Sequence, residues 1–137
     1  MPRHKNKTHA TLLALLFGSV GLHRFYLYGR KDFWGWLHVA TVPLSALLVL
    51  GNPEASAIFT AMPLVLSVLA GFLETLVIGV TPDEKWDARH NPSSGRQSDT
   101  RWPVPLMLVL ALAFGFVALV AAIARTFDIL LTGGSYG

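Results

Sequence analysis

The chain has 137 residues, of which 53% are hydrophobic and only 14% charged, with mean hydropathy +0.50 and a formal charge of +3. A soluble domain carries about 25% charged residues, and a chain this short has too little interior to hide so much apolar surface. These figures exclude a soluble enzyme, a disordered tail and a nucleic-acid-binding domain, and they point to a polytopic membrane protein. The absence of cysteine removes disulfides, thiolate metal sites and cysteine nucleophiles as well.

Residues 1–9 read as a basic tail, with Arg3, Lys5 and Lys7. The apolar run over 10–22 is too short to cross a hydrocarbon core of about 30 Å unless residues 23–28 continue it. A first membrane segment is therefore expected over about 10–28, either spanning or re-entrant. The basic tail, the apolar core and the small residues Ser19 and Gly21 also fit the layout of a signal peptide. Phe33 to Leu50 is a second segment, about 27 Å long as helix. The turn GNPEAS separates it from a third run, Ala57 to Val80, of about 36 Å. Pro43 and Pro63 are expected as kinks within these helices. Residues 81–102 are polar. Within them Pro82-Asp83-Glu84 before KWDARH predicts a short amphipathic helix, with Trp86 and Trp102 at the membrane interface. Residues 93–102 read as a flexible loop, 103–124 as an additional transmembrane helix and 125–137 as a C-terminal tail. The expected fold is an all-α, polytopic membrane bundle of three to four segments.

Orientation follows from the basic residues. The tail holds three, the first connection Arg24, Arg30 and Lys31, the second none, the third Lys85, Arg89, Arg96 and Arg101, and the C-terminus Arg125. Loops 23–32 and 81–102 together hold seven of the eleven and are expected on the cytoplasmic side. The tail joins them if the first segment is re-entrant and lies opposite if it spans.

The stretch ALLFGSVGLHRFYLYGRKDFWGW carries His23-Arg24-Phe25-Tyr26 followed by Gly29 at a membrane-surface turn. This pattern resembles the TM2 domain, a small membrane module whose bacterial members carry an HRFYLG-like motif. Here Tyr28 stands between Leu27 and Gly29. The resemblance reaches from about residue 5 to 92, so the module is expected over 10–92. It implies that Glu74 is the counterpart of an acidic residue in the second helix of the family, and that the protein lies in the bacterial cytoplasmic (inner) membrane. It implies no chemistry.

Glu74 is the costliest residue to place, about 10 Å along its helix from Thr81. Arg24, His38 and His23 fall at matching depth, so a buried polar cluster of Glu74, Arg24 and His38 is expected. Ala10, Ala14 and Gly18 form one small-residue packing face, and Ala111, Gly115, Ala118 and Ala122 another. The sequence offers no nucleophile–base pair, paired carboxylates, metal constellation or phosphate loop. The expectation is a non-enzymatic, cofactor-free scaffold or accessory subunit. Its partners would be the lipid bilayer and another membrane protein or a second copy, without nucleic acid. The alternative is a small oligomeric transporter or channel that uses Glu74 as an intramembrane ionisable group.

Overall fold

A computed structural model describes residues 3–135. Every regular element among them is helical, and three helices are long and apolar enough to cross a membrane.

The first is not one of these three. Asn6 caps α1 (Lys7–Phe17), its side chain accepting the His9 N–H at 3.1 Å. That satisfies one donor of an open first turn. α1 tightens into a 3-10 turn at Gly18–Val20, and Gly21, at φ 69°, reverses the chain. A side chain is strained at that angle, and a Cβ there would sit 2.9 Å from the Gly35 carbonyl oxygen. α2 (Leu22–Tyr28) then leads back towards the start of α1. The return is fixed at two points: Tyr26 Oη accepts the Asn6 N–H at 2.8 Å, and Lys5 Nζ donates to the Tyr26 carbonyl at 2.7 Å.

The spanning helices are α3 (Phe33–Gly51), α5 (Met62–Val80) and α7 (Pro103–Thr132), with α4 (Ala57–Thr60) a single turn before α5. α1 runs antiparallel to α5. Lys7 Nζ donates to the carbonyl of Thr81 just past one end of α5, while Gly18 meets Gly71 in its middle. Ten residues of helix separate Gly71 from Thr81, about 15 Å or half a bilayer core. The segment 10–28 is therefore a re-entrant hairpin of two helices. It enters from the end of the bundle that holds loops 23–32 and 81–102, and returns to it. The close approach explains both glycines: a Cβ on Gly18 would lie 2.7 Å from Gly71 Cα. Ala10 and Ala14, fully buried, continue that packing face.

Several other boundaries differ from the sequence expectation. The third run is broken at Ala61, so Pro63 sits in the first turn of α5, where its missing N–H costs nothing, and is no kink. Ser45 Oγ accepts the Leu64 N–H at 3.0 Å and so closes another open donor of that turn. Pro43 does lie inside α3. α7 continues through residues 125–132, expected as tail, and stops where Gly133, at φ 71°, returns its N–H to Ile129.

The polar segment forms α6 (Asp83–His90). Trp86 is not an interfacial anchor: it is 2% exposed, packed beneath Tyr26 and Leu27, and its Nε1 donates to the Lys5 carbonyl at 3.0 Å. Trp102 stays exposed. Residues 93–102 are tied down rather than free, through Ser98 to Asp87 and Thr100 to Asp83. The outward faces of the spanning helices, such as Leu47, Val77 and Phe116, are exposed and apolar, as a lipid-facing surface requires.

Candidate functional site

Two polar assemblies gather at the end of the bundle that holds the N-terminus. The deeper one centres on Glu74, seven residues before Thr81 on α5. Its Oε1 accepts from Arg24 Nη1 at 3.0 Å. Its Oε2 lies 2.8 Å from His23 Nε2 and 3.3 Å from His38 Nε2. The His23 approach is a close contact off the N–H direction, since neither atom makes an aligned hydrogen bond, and His23 Nδ1 has no partner. The structure thus brings together Glu74, Arg24, His38 and His23 from three helices.

Arg24 faces two carboxylates. Its Nε and Nη2 donate to Asp32 at 2.7 and 3.2 Å, and Asp32 in turn caps α3 by accepting the Gly35 N–H at 2.7 Å. The Arg24 guanidinium holds the Asp32 carboxyl below the usual carboxylate range. Asp32 was not singled out in the sequence. Its place directly before the apolar run, three residues ahead of Gly35, is an N-cap signal that points to it.

The cluster continues towards the hairpin tip. His38 Nδ1 and Ser67 Oγ are 2.6 Å apart, and Ser67 Oγ donates to the Ser19 carbonyl at 2.6 Å. A serine hydroxyl has one hydrogen. With that hydrogen on Ser19, His38 Nδ1 must be the donor to Ser67, which leaves Nε2 facing Glu74. Ser67 looked like any small residue of an apolar run, and no sequence signal distinguished it.

The remaining motif residues make packing and turn contacts. Phe25 lies against Gly35, where a Cβ would meet its ring at 2.7 Å, and stacks edge-on with Trp36 at 5.4 Å. Gly29, at φ 84°, ends α2. Arg24 also lies over the Tyr28 ring at 5.0 Å. On α7, Ala111 is buried and Gly115 abuts Phe72, while Ala118 and Ala122 border an open groove against α5.

The shallower assembly binds the N-terminus to the loop after α5. Lys7 is 5% exposed, and its Nζ donates to the Thr81 carbonyl, to Asp83 Oδ1 at 3.0 Å and to Thr100 Oγ1 at 2.9 Å. Asn91 brackets the Lys5 peptide, accepting its N–H at 2.6 Å and donating to its carbonyl at 3.1 Å. Burial opposes charge on Asp83 and Asp87. Hydrogen bonds from Thr100 and Lys7 to the first, and from Ser98 and Asn91 to the second, outweigh it and hold both below the usual range. Burial also pushes the His90 imidazole down.

The apolar spanning helices, with charge buried only where it is paired, define a membrane protein built on a re-entrant hairpin. Residues 3–51 match the family model described as TM2 domain. The match covers the hairpin and α3 and ends there, so Glu74 and the loop over 81–102 lie outside it. Comparison with curated proteins and with solved structures finds no match.

Proposed function

We propose that this chain is a structural membrane protein, a scaffold or accessory subunit that binds partner helices or lipid and catalyses no reaction. One observation carries this reading: among the described residues, the only charge deep in a spanning helix is ion-paired, through Glu74 Oε1 to Arg24 Nη1, with two imidazoles close to its other oxygen. Glu74 meets three nitrogens from two other elements, and Arg24 is neutralised from its other side by Asp32. Such a cluster ties the hairpin, α3 and α5 into one unit. A proton or ion relay through Glu74 would have to break the Arg24 pair or pass through His23 and His38, and the flux test below decides between that and a structural cluster.

We further infer that the hairpin end faces the cytoplasm of a bacterial cell, in the cytoplasmic membrane. Ten of the eleven Lys and Arg lie at that end, and Arg125 alone lies at the other. The test is reconstitution into vesicles carrying a pH gradient and a pH-sensitive dye. Wild type and Glu74→Gln should both leak no faster than empty vesicles. Wild-type flux that Glu74→Gln abolishes would overturn the scaffold in favour of a transporter. Co-purification from mild detergent then identifies what the scaffold holds.

A further inference from the structure

Around Glu74 neither the hydrogens nor the charges balance while both histidines are neutral and both carboxylates ionised. Ser67 is the fixed point. Its one hydrogen goes to the Ser19 carbonyl at 2.6 Å, so His38 Nδ1, 2.6 Å from the same hydroxyl oxygen, must bring a hydrogen of its own. A neutral imidazole carries a hydrogen on one nitrogen only. A neutral His38 would therefore turn a bare Nε2 lone pair towards Glu74 Oε2 at 3.3 Å, acceptor against acceptor. His23 escapes this conflict. Its Nδ1 has no partner, so its single hydrogen belongs on Nε2, 2.8 Å from the same carboxylate oxygen.

The charges point the same way. Five ionisable groups meet here: His23 and Arg24 from α2, Asp32 and His38 from the start of α3, and Glu74 from α5, with the Tyr28 ring lying over Arg24. With both imidazoles neutral, one cation (Arg24) faces two anions (Asp32 and Glu74), a net charge of −1. The His23 and His38 side chains are 1% and 10% exposed, and an uncompensated charge in such surroundings is costly. One added proton brings the cluster to zero. Placed on His23 it would leave a buried Nδ1 hydrogen without an acceptor. Between His38 Nε2 and Glu74 Oε2 it turns the one repulsive contact into an attractive one.

We propose that the Glu74–His38 contact is a proton-binding site: it holds one exchangeable proton at neutral pH, and that proton fastens the hairpin and α3 to α5. When the proton leaves, the cluster returns to −1 and the lone pair again faces the carboxylate. Stability that depends on a proton bound in the folded state is complete at low pH and is lost as pH rises through the point of release. The site lies in the cluster of the scaffold reading but does not rest on that reading. Proton flux would overturn the scaffold and leave the bound proton in place.

Nitrogen-15 and carbon-13 NMR of the detergent-purified full chain, labelled at histidine and glutamate, reads each ring nitrogen and the Glu74 carboxyl. At about pH 7.5, a unit above the value for a free imidazole, wild type should show a hydrogen on His38 Nε2 or on the Glu74 carboxyl. In Glu74→Gln the cluster is neutral without the extra proton, so His38 Nε2 should be bare. A bare His38 Nε2 beside an ionised Glu74 in wild type would overturn the proposal. So would the extra hydrogen on His23, or its persistence on His38 in Glu74→Gln. Between about pH 6.5 and pH 9 the wild-type melting temperature should fall by about 5 °C more than that of Glu74→Gln, and parallel curves would overturn the fastening role. Should Glu74→Gln lose its helical circular dichroism, the wild-type spectrum still decides on the proton, and His38→Gln, which cannot bind it, takes its place in the melting comparison.

Discussion

Arg24→Ala removes the cation on which two carboxylates depend. Arg24 Nη1 is 3.0 Å from Glu74 Oε1, and the other face of the guanidinium bonds Asp32. At an effective dielectric constant of about 20, two charges at that separation attract by about 5–6 kcal/mol. The side chains are 19% and 27% exposed, so solvent screens only part of this. Desolvation offsets a further part, and losing one member of a buried pair costs about 3–5 kcal/mol net. For a chain of this size that lowers the melting temperature by roughly 10–15 °C. Combining Arg24→Ala with Glu74→Ala removes the stranded charge at depth and should be milder than Arg24→Ala alone, although Asp32 still loses its partner. The assay is thermal unfolding of the detergent-purified chain, followed by near-ultraviolet circular dichroism, for both single variants and the double. A double-variant cost equal to the sum of the singles, within about 0.5 kcal/mol, would refute the coupling.

Three further outcomes are expected. Gly71→Ala places a Cβ 2.7 Å from the Gly18 carbonyl carbon and should cost about 1–3 kcal/mol. Ala113→Leu, on the exposed face of α7, should stay within about 0.5 kcal/mol, and equal melting points for the two would dissolve the argument for close hairpin packing. Single cysteines at His4 and Ser94 should label from one side of the membrane and those at Asn52 and Ser135 from the other, and a split between His4 and Ser94 would exclude the re-entrant hairpin. Asp83 has its folded pKa depressed, so its stabilisation is complete above the unfolded value near 3.8 and is lost as pH falls through the folded one. Hydrogen exchange at residues 4–7 and 98–101 should therefore rise on acidification below that pH in wild type, and should already be raised and flatter with pH in Asp83→Asn.

Hydropathy alone located α3, α5 and α7, because unbroken apolar runs of bilayer length have few other solutions. It did not decide the path of 10–28. Thirteen apolar residues fit either a span or a hairpin, and the choice rests on tertiary pairs: Asn6 with Tyr26, Lys7 with Thr81, Gly18 with Gly71. Glu74 stood out because a charge in hydrocarbon needs a partner, and depth alone narrowed the candidates to Arg24, His23 and His38. Asp32 and Ser67 did not stand out, since a cap and a buried hydroxyl look like ordinary turn and small residues until a carbonyl or guanidinium is seen beside them. Trp86 was misplaced for a similar reason. Interfacial tryptophans are common, and only the fold of the N-terminal tail over α6 shows why this one is buried.

The hairpin tip sets the sharpest demand on the rest of the bundle. A reversal at mid-depth breaks the helical ladder, and the freed backbone groups must find partners within the protein because lipid offers none. Ser67 meets that demand by donating to the Ser19 carbonyl, and it also receives His38 Nδ1. Ser67→Ala strands both groups at once, at about 1–3 kcal/mol for each buried group left unpaired. Thr75 is the internal control. It is fully buried on the same helix, but its hydroxyl bonds the Gly71 carbonyl four residues back, a group already within the α5 ladder. Thr75→Val keeps the shape and leaves no broken ladder unsatisfied. Amide exchange measured by mass spectrometry should therefore rise over residues 18–23 in Ser67→Ala and remain as in wild type in Thr75→Val. Equal exchange in the two variants would mean that the tip is held by the packing of Gly18 on Gly71, and that the polar line from Ser19 through Ser67 and His38 to Glu74 contributes little to its position.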